Sequence, residues 1–229
     1  MKYDVVIIGA GPAGLFTAYE LITKNSKLNI LLLDEGRFAD KRTCPMKVKK
    51  QCVNCKTCSI LSGYGGAGTF SDGKLNFIPK LGKSDLFKYM DEETANKLID
   101  DCEDIFTKFG MDSDVYPSNM DEALKIKSKV SLVGARLLLI KQKHLGSDHL
   151  PKYIQDFTDF LANKGVKVQE LTEVIDVHSK SKDSHDVICR VKGKEEIYEA
   201  SKVVVAPGRT GAKWIQALAD KYDIPYLSK

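Results

Sequence analysis

A glycine turn set between an apolar strand and a helix constrains this chain more than any other feature. Lys2-Tyr3-Asp4-Val5-Val6-Ile7-Ile8 is a short apolar run, and its length points to a buried strand rather than a helix. Gly9-Ala10-Gly11-Pro12-Ala13-Gly14 follows as G-x-G-x-x-G. From Leu15 to Lys24, apolar residues recur at helical spacing: Leu15, Phe16, Ala18, Tyr19, Leu21 and Ile22. Asn29-Ile30-Leu31-Leu32-Leu33 reads as a second buried strand. It ends at Asp34, 20 residues beyond Gly14, close to the spacing of a dinucleotide-binding β-α-β unit.

Each part of the unit has a physical task. Gly9 permits a tight exit from the strand, Gly11 lets the backbone approach a pyrophosphate, and Gly14 lets the helix pack near the strand. Pro12 and Ala13 complete the turn, and the free N–H groups and positive dipole end of the helix over 15–24 face the phosphates. Asp34, followed by Glu35 and Gly36, can accept hydrogen bonds from both ribose hydroxyls. It would repel a 2′-phosphate, so the unit favours FAD or NAD over NADP.

Length and charge bound the rest. A chain of 229 residues has room for one large domain or one and a half, with an ample core. A net charge of +4 gives no argument for a nucleic-acid partner. No apolar run approaches a membrane span, and the first apolar stretch lacks a leader's cleavage pattern. The expected setting is the cytoplasm, with no membrane partner and with a small-molecule substrate or electron carrier.

Residues 37–50 carry six Lys or Arg. The preferred reading is a solvated loop; the alternative brings Arg37 or Arg42 to the phosphates or ribose of the cofactor. Cys44-Pro45 precedes Cys52-Val53-Asn54-Cys55-Lys56-Thr57-Cys58, a C-x2-C-x2-C array. Three thiolates can surround one centre, and Cys44 can complete a four-sulfur site for an iron–sulfur cluster or zinc. In ferredoxin-type runs, however, the fourth Cys and its Pro follow the triplet, whereas here they come first. Reduced structural or redox-active thiols are the competing reading.

Leu61 to Leu75 holds five glycines with Ser71, Asp72 and Lys74, a composition expected of a loop that faces the cofactor. Lys74 would stabilise negative charge on a reduced flavin. An amphipathic helix is expected over 91–109, with Cys102 in its apolar stripe. A short helix is expected within 121–143, together with an apolar run, Leu137–Ile140, that suits strand or helix equally. His144 is read as structural rather than catalytic. Ser147 or Asp148 would cap a helix over 150–164, which Gly165 ends. Three strand-like pieces, 166–178, 187–191 and 196–199, suggest an antiparallel meander. A separate buried strand over 202–208 and a helix around 212–221 complete the chain.

This order, with its strand-end Ala206-Pro207-Gly208, resembles the glutathione-reductase-type FAD-binding superfamily. Within that superfamily the chain is similar to a group of FAD-dependent dehydrogenases or NAD(P)/FAD-dependent oxidoreductases. The closer match rests on Cys44-Pro45, the Cys52/Cys55/Cys58 triplet, Gly65 to Leu75, His144 to Asp148, and Ala206 to Gly211. The resemblance implies an α/β fold: a three-layer, Rossmann-like FAD/NAD(P)-binding domain with a parallel sheet and an antiparallel β-meander. Residues 1–40 and 150–229 would form that domain. Residues 41–149 would be an inserted segment with the cysteine cluster and part of a substrate domain.

By the same resemblance, Gly9, Gly11, Ala13 and Gly14 hold the FAD pyrophosphate and Asp34 the adenosine ribose. Val174 meets adenine through its backbone, and Ala206 and Gly208 lie beside the cofactor, with Pro207 in place of the usual Thr. NAD(P)H is a candidate electron donor. Such proteins return to the FAD with a Gly-Asp segment near their C-terminus, and no Gly-Asp dipeptide occurs in this chain. An N-terminal portion of a longer flavoprotein is therefore expected. The rival readings are an NAD-binding Rossmann dehydrogenase, a metal-binding or interaction module with an inert nucleotide fold, and a tRNA-modifying flavoprotein.

Overall fold

A computed structural model describes residues 2–146 and 148–227. In chain order the elements begin with β1 (Lys2–Ile8), α1 (Pro12–Lys24), β2 (Ile30–Leu33) and the short α2 (Met46–Lys49). Next come β3 (Lys74–Asn76), β4 (Lys80–Leu81), β5 (Ser84–Asp85), α3 (Glu92–Lys108), β6 (Val115–Tyr116), α4 (Met120–Leu132) and β7 (Gln142–His144). The chain continues with α5 (Leu150–Asn163), β8 (Lys167–Gln169), β9 (Thr172–Ser181), β10 (Ser184–Val191), β11 (Lys194–Val205) and α6 (Ala212–Lys221).

The chain divides into two compact units. One takes in residues up to Phe70 together with those from Ile154 onward; the other is Ser71–Tyr153. The boundaries expected from sequence, at 40/41 and 149/150, are displaced. Residues 41–70 group with the first unit, to which Tyr64 and Gly65 bond through Leu32, Gln169 and Ala10, and the second boundary falls inside α5.

The first unit is built on a six-stranded sheet in the order β8-β2-β1-β11-β10-β9. β8, β2, β1 and β11 run parallel, while β11, β10 and β9 form an antiparallel meander. β11 serves both halves: Lys194 to Ala200 pairs with β10, and Glu199 to Val205 with β1. The expected pieces 196–199 and 202–208 are thus one strand. No Gly or Pro interrupts residues 194–205, and Ala200, fully buried, lies at the handover. The single piece expected over 166–178 is instead two strands. Leu171 at φ +55° breaks it into parallel β8 and antiparallel β9. Lys192 and Gly193, both at positive φ, make the tight turn that joins β10 to β11.

Successive side chains alternate across a strand, so β1 has a helix layer on each face. Ile7 comes within van der Waals reach of the Cβ position at Gly14, which places α1 on its side. There Phe16 and Tyr19 stack edge-on against Phe157 of α5. Val6 and Ile8 join Leu31, Leu33, Val187 and Cys189 in a buried cluster, against which Trp214 and Leu218 of α6 pack.

In the second unit, β3, β7 and β6 form a small antiparallel sheet in the order β3-β7-β6. Met111, Leu145 and Leu150 make its core, with Leu75, Phe106 and Tyr153 packed against them. Lys143 is buried and ion-pairs with Glu103 of α3 at 3.2 Å. The apolar run 137–140 is neither strand nor helix. It follows Gly134 at φ +76°; Leu138 is exposed, while Leu137, Leu139 and Ile140 are half-buried.

Candidate functional site

The G-x-G-x-x-G turn connects β1 to α1 at the carboxyl end of the parallel strands, where open α/β sheets bind their ligands. Gly9 sits at φ +98°, and a Cβ there would lie 2.2 Å from the Ala206 carbonyl oxygen. A Cβ on Gly14 would lie 1.9 Å from the Gly9 carbonyl oxygen. These two glycines are demanded by packing within the chain. Gly11 differs: its Cβ position meets only the Gly66 Cα, at 3.8 Å, an ordinary contact.

Gly11 is also the N-cap of α1, with Pro12 next and no side chain capping the first turn. The first turn carries no acidic residue, and Pro12 and Ala13 are exposed. The amides at this helix end therefore remain available to an anion.

Asp34 closes the other side. Its Oδ2 accepts the Ala10 amide and its Oδ1 the Gly36 amide, both at 2.8 Å. Burial raises its pKa, opposed by those amide bonds. The Gly63 amide also bonds to this carboxylate, which has about four lone-pair sites, so acceptor capacity remains for a ligand hydroxyl. The Asp34 backbone is held as well: its N–H donates to Gln169 and its carbonyl accepts from Thr172. That clasp brings the start of β9 next to the acid, and Val174 follows on β9, the edge strand of the sheet. Ala206 donates its amide to the Ile8 carbonyl, which seats residues 206–208 against the fingerprint turn, and Gly208 follows at φ +66°.

A third segment completes the surroundings. Gly65 donates its amide to the Ala10 carbonyl at 2.8 Å, and a Cβ on Gly66 would lie 3.2 Å from the Gly11 Cα. Ser62 Oγ donates to Glu35 Oε1 at 2.6 Å. Gly36 allows the crossing, since a Cβ there would lie 2.4 Å from the Gly63 nitrogen. Residues 62–66 thus lie against the fingerprint turn.

Arg42 departs from the solvated reading of the basic stretch, which holds for the other five cations: Arg37, Lys41, Lys47, Lys49 and Lys50 are exposed. Arg42 is 4% exposed and donates to the carbonyls of Ser59, Ile60, Tyr64 and Gly66 and to Thr69 Oγ1, at 2.8 to 3.0 Å. Its guanidinium also lies 4.8 Å from the centre of the Phe70 ring. Burial pulls its pKa down to about 10, so it stays charged at neutral pH. With its donors directed to the chain itself, Arg42 shapes the 59–70 segment. Arg37 is exposed.

Tyr64, which sequence reasoning left without a role, is fully buried. Its hydroxyl donates to the Leu32 carbonyl and accepts the Gln169 amide, both at 2.9 Å. In the second unit, Lys74 pairs with His144 across β3 and β7 and reaches Asp72 Oδ2 at 3.1 Å. His144 Nε2 lies 3.0 Å from the Asp72 carbonyl oxygen, a structural bond. Ser147 lies outside the described residues.

Cys44, Cys52, Cys55 and Cys58 line one pocket of about 220 Å³. Among the described residues, no group of three or more His, Cys, Asp or Glu is placed to hold a metal ion.

The architecture now decides the fold. The chain has a mixed α/β, Rossmann-like fold, with a parallel sheet continued by an antiparallel meander. It is similar in structure to a 3-ketosteroid-Δ4-(5α)-dehydrogenase from Rhodococcus jostii RHA1, with a TM-score of 0.53 and 13% identity. That match covers 94% of this chain and 48% of the dehydrogenase. It is similar also to glycine oxidase from Geobacillus kaustophilus, with a TM-score of 0.52 and 16% identity, over 97% of this chain and 58% of the oxidase. This chain thus spans about half the length of these solved structures.

No family model matches the chain. In sequence it is 54% identical to an uncharacterised protein of Methanosarcina barkeri over 43 residues, 19% of this chain and 11% of that protein. No helix among the described residues is long and apolar enough to cross a membrane.

Proposed function

We propose that this chain forms the dinucleotide-holding part of an FAD-dependent oxidoreductase. The observation that carries the reading is Asp34. Its carboxylate is tied to the Ala10 amide of the glycine turn, so the acid and the uncapped end of α1 form one rigid frame. FAD fits this frame: Gly11 leaves room where a side chain would stand, and Asp34 keeps acceptor capacity for ribose hydroxyls.

In this reading the amides of Gly11, Ala13 and Gly14 hold the pyrophosphate, and Asp34 orients the ribose. Val174 offers its backbone to adenine at the sheet edge, and Ala206 and Gly208 border the cofactor at the end of β11. Bound flavin would supply hydride and electron transfer, and the chain supplies position and electrostatics. The partner in that exchange is a small-molecule substrate or electron carrier, NAD(P)H is a candidate donor, and the cytoplasm is the setting. The Rhodococcus dehydrogenase and the Geobacillus oxidase are named for oxidation chemistry, which supports the assignment to redox work.

The test is reconstitution. The purified chain is incubated with FAD, desalted, and read for protein-bound flavin bands near about 370 and about 450 nm. Retained flavin that is lost in Asp34→Ala supports the reading. A colourless protein that instead binds NADH overturns it in favour of a nicotinamide-binding fold.

A further inference from the structure

Asp34 is an acid in a place that disfavours its charge. Burial, and then the neighbouring Glu35, push its carboxyl toward the neutral form, while the amides of Ala10, Gly36 and Gly63 oppose them. A neutral carboxyl turns one oxygen into a donor and loses acceptor capacity. A site that grips ribose hydroxyls through this acid therefore depends on what keeps it ionised.

The nearby titratable groups of β2, β8 and β9 supply no positive charge. The Tyr64 hydroxyl is bonded to Leu32 and Gln169. Burial, and then the charge of Asp34, hold its pKa well above the ordinary tyrosine value, so it stays neutral. Glu170, between β8 and β9, is engaged by Lys41 at 3.2 Å and by the Phe38 amide at 2.8 Å.

Arg42 supplies it, from inside the wall on which Asp34 leans. Its guanidinium interacts electrostatically with Asp34, and an opposite charge nearby favours the ionised carboxylate. Its side chain also packs on Gly63, where a Cβ would lie 2.8 Å from Arg42 Cδ. Gly63 is the residue of that wall whose amide bonds to Asp34. The next turn of chain hangs on the same cation, through the Tyr64 carbonyl at 2.8 Å and the Gly66 carbonyl at 2.9 Å. Gly65, between them, donates to the Ala10 carbonyl, and the Ala10 amide donates to Asp34. One side chain thus fixes both paths by which residues 63–66 reach the acid, and brings a charge to it as well.

We infer that Arg42 is a positioning residue for the dinucleotide: packed behind residues 63–66, it keeps the Asp34 carboxylate ionised and in place for the ribose, and acts on the ligand only through that acid. The consequence for FAD rests on the function proposed above; the hold of Arg42 on Asp34 does not.

Two measurements on the full chain separate these. Without FAD, the Asp34 carboxyl is followed against pH by carbon NMR of aspartate-labelled protein, its signal assigned by its loss in Asp34→Asn. Separately, FAD affinity is measured at neutral pH by fluorescence titration. Wild type, Arg42→Lys, Arg42→Met and Tyr64→Phe are compared in sucrose, which favours the folded state, with folding checked by circular dichroism. Arg42→Met should move the Asp34 titration to higher pH and weaken FAD binding about tenfold or more. Arg42→Lys, which keeps the charge and loses the planar fork, should titrate near wild type and bind FAD with intermediate affinity. Tyr64→Phe weakens the same region without removing charge, and should leave the Asp34 titration in place. An Asp34 titration unmoved in Arg42→Met, or moved equally in Tyr64→Phe, would reduce Arg42 to a scaffold and overturn the inference. Should Arg42→Met not fold, Arg42→Lys decides, and an affinity for FAD equal to wild type overturns it. If the Asp34 titration moves as expected and wild type takes up no FAD, the hold of Arg42 on Asp34 stands and the proposed function falls.

Discussion

The Arg42 guanidinium stands 2.8 Å from the carbonyl oxygen of Tyr64 and is buried there. Through this bond, and those to Ser59, Ile60, Gly66 and Thr69, one cation organises the segment that lies against the glycine turn. Removing it should leave four carbonyls without their donors in a desolvated place. Arg42→Met is expected to destabilise the chain by about 3 to 5 kcal/mol. Arg42→Lys should recover only part, because one ammonium cannot reproduce a planar fork. Urea unfolding midpoints of the three proteins check this, and a loss below about 1 kcal/mol for Met would refute the scaffold role.

Tyr64 spans β2 and β8 through a single hydroxyl that both donates and accepts. Tyr64→Phe keeps the buried ring and removes both bonds, leaving the Leu32 carbonyl and the Gln169 amide without this partner. A cost of about 1 to 3 kcal/mol is expected, read by thermal or chemical denaturation.

The glycines of the turn separate folding from ligand binding. Gly9→Ala would drive a Cβ to 2.2 Å from the Ala206 carbonyl oxygen at a backbone angle that L-residues avoid, so the fold should lose about 2 to 4 kcal/mol. Gly11→Ala meets ordinary contact and should change stability by less than about 1 kcal/mol. It fills the space through which a pyrophosphate approaches, so FAD affinity should fall about tenfold or more. Equal FAD affinity in wild type and a stable Gly11→Ala, by fluorescence titration, would remove Gly11 from the binding frame.

Asp34 carries a pH signature. Burial raises its folded pKa above the unfolded value, so the unfolded chain ionises first as pH rises. Stability contributed by this group is full below the ordinary Asp range and is lost as pH climbs through the raised pKa. Relative to Asp34→Asn, which does not titrate, wild type should weaken from about pH 3 upward and then level off. Denaturation of the pair across that range checks the direction, and a difference that stays constant or moves the other way counts against it.

Much of the frame was legible because it is local. β1, the turn, α1, β2 and Asp34 follow one another within 34 residues, and each shows itself through apolar period or glycine spacing. The helices over 92–108, 150–163 and 212–221 were legible by the same periodicity. The division of the 166–178 piece was hidden, because Leu171 gives no sign of a left-handed backbone. So was the fusion of two pieces into β11, since Glu199 to Lys202 reads as a polar break.

The order of residues by itself determined the strand–turn–helix–strand frame, its acid, and the crowding of four thiols. Local spacing sets those, and no distant partner is needed to read them. Only the tertiary structure decided that Arg42 is internal, that Tyr64 joins Leu32 to Gln169, and that those thiols share one pocket. Arg42 reaches partners 17 to 27 positions away, and Tyr64 reaches partners 32 and 105 positions away. A lysine-rich stretch looks solvated until the carbonyls that desolvate one of its cations are folded around it.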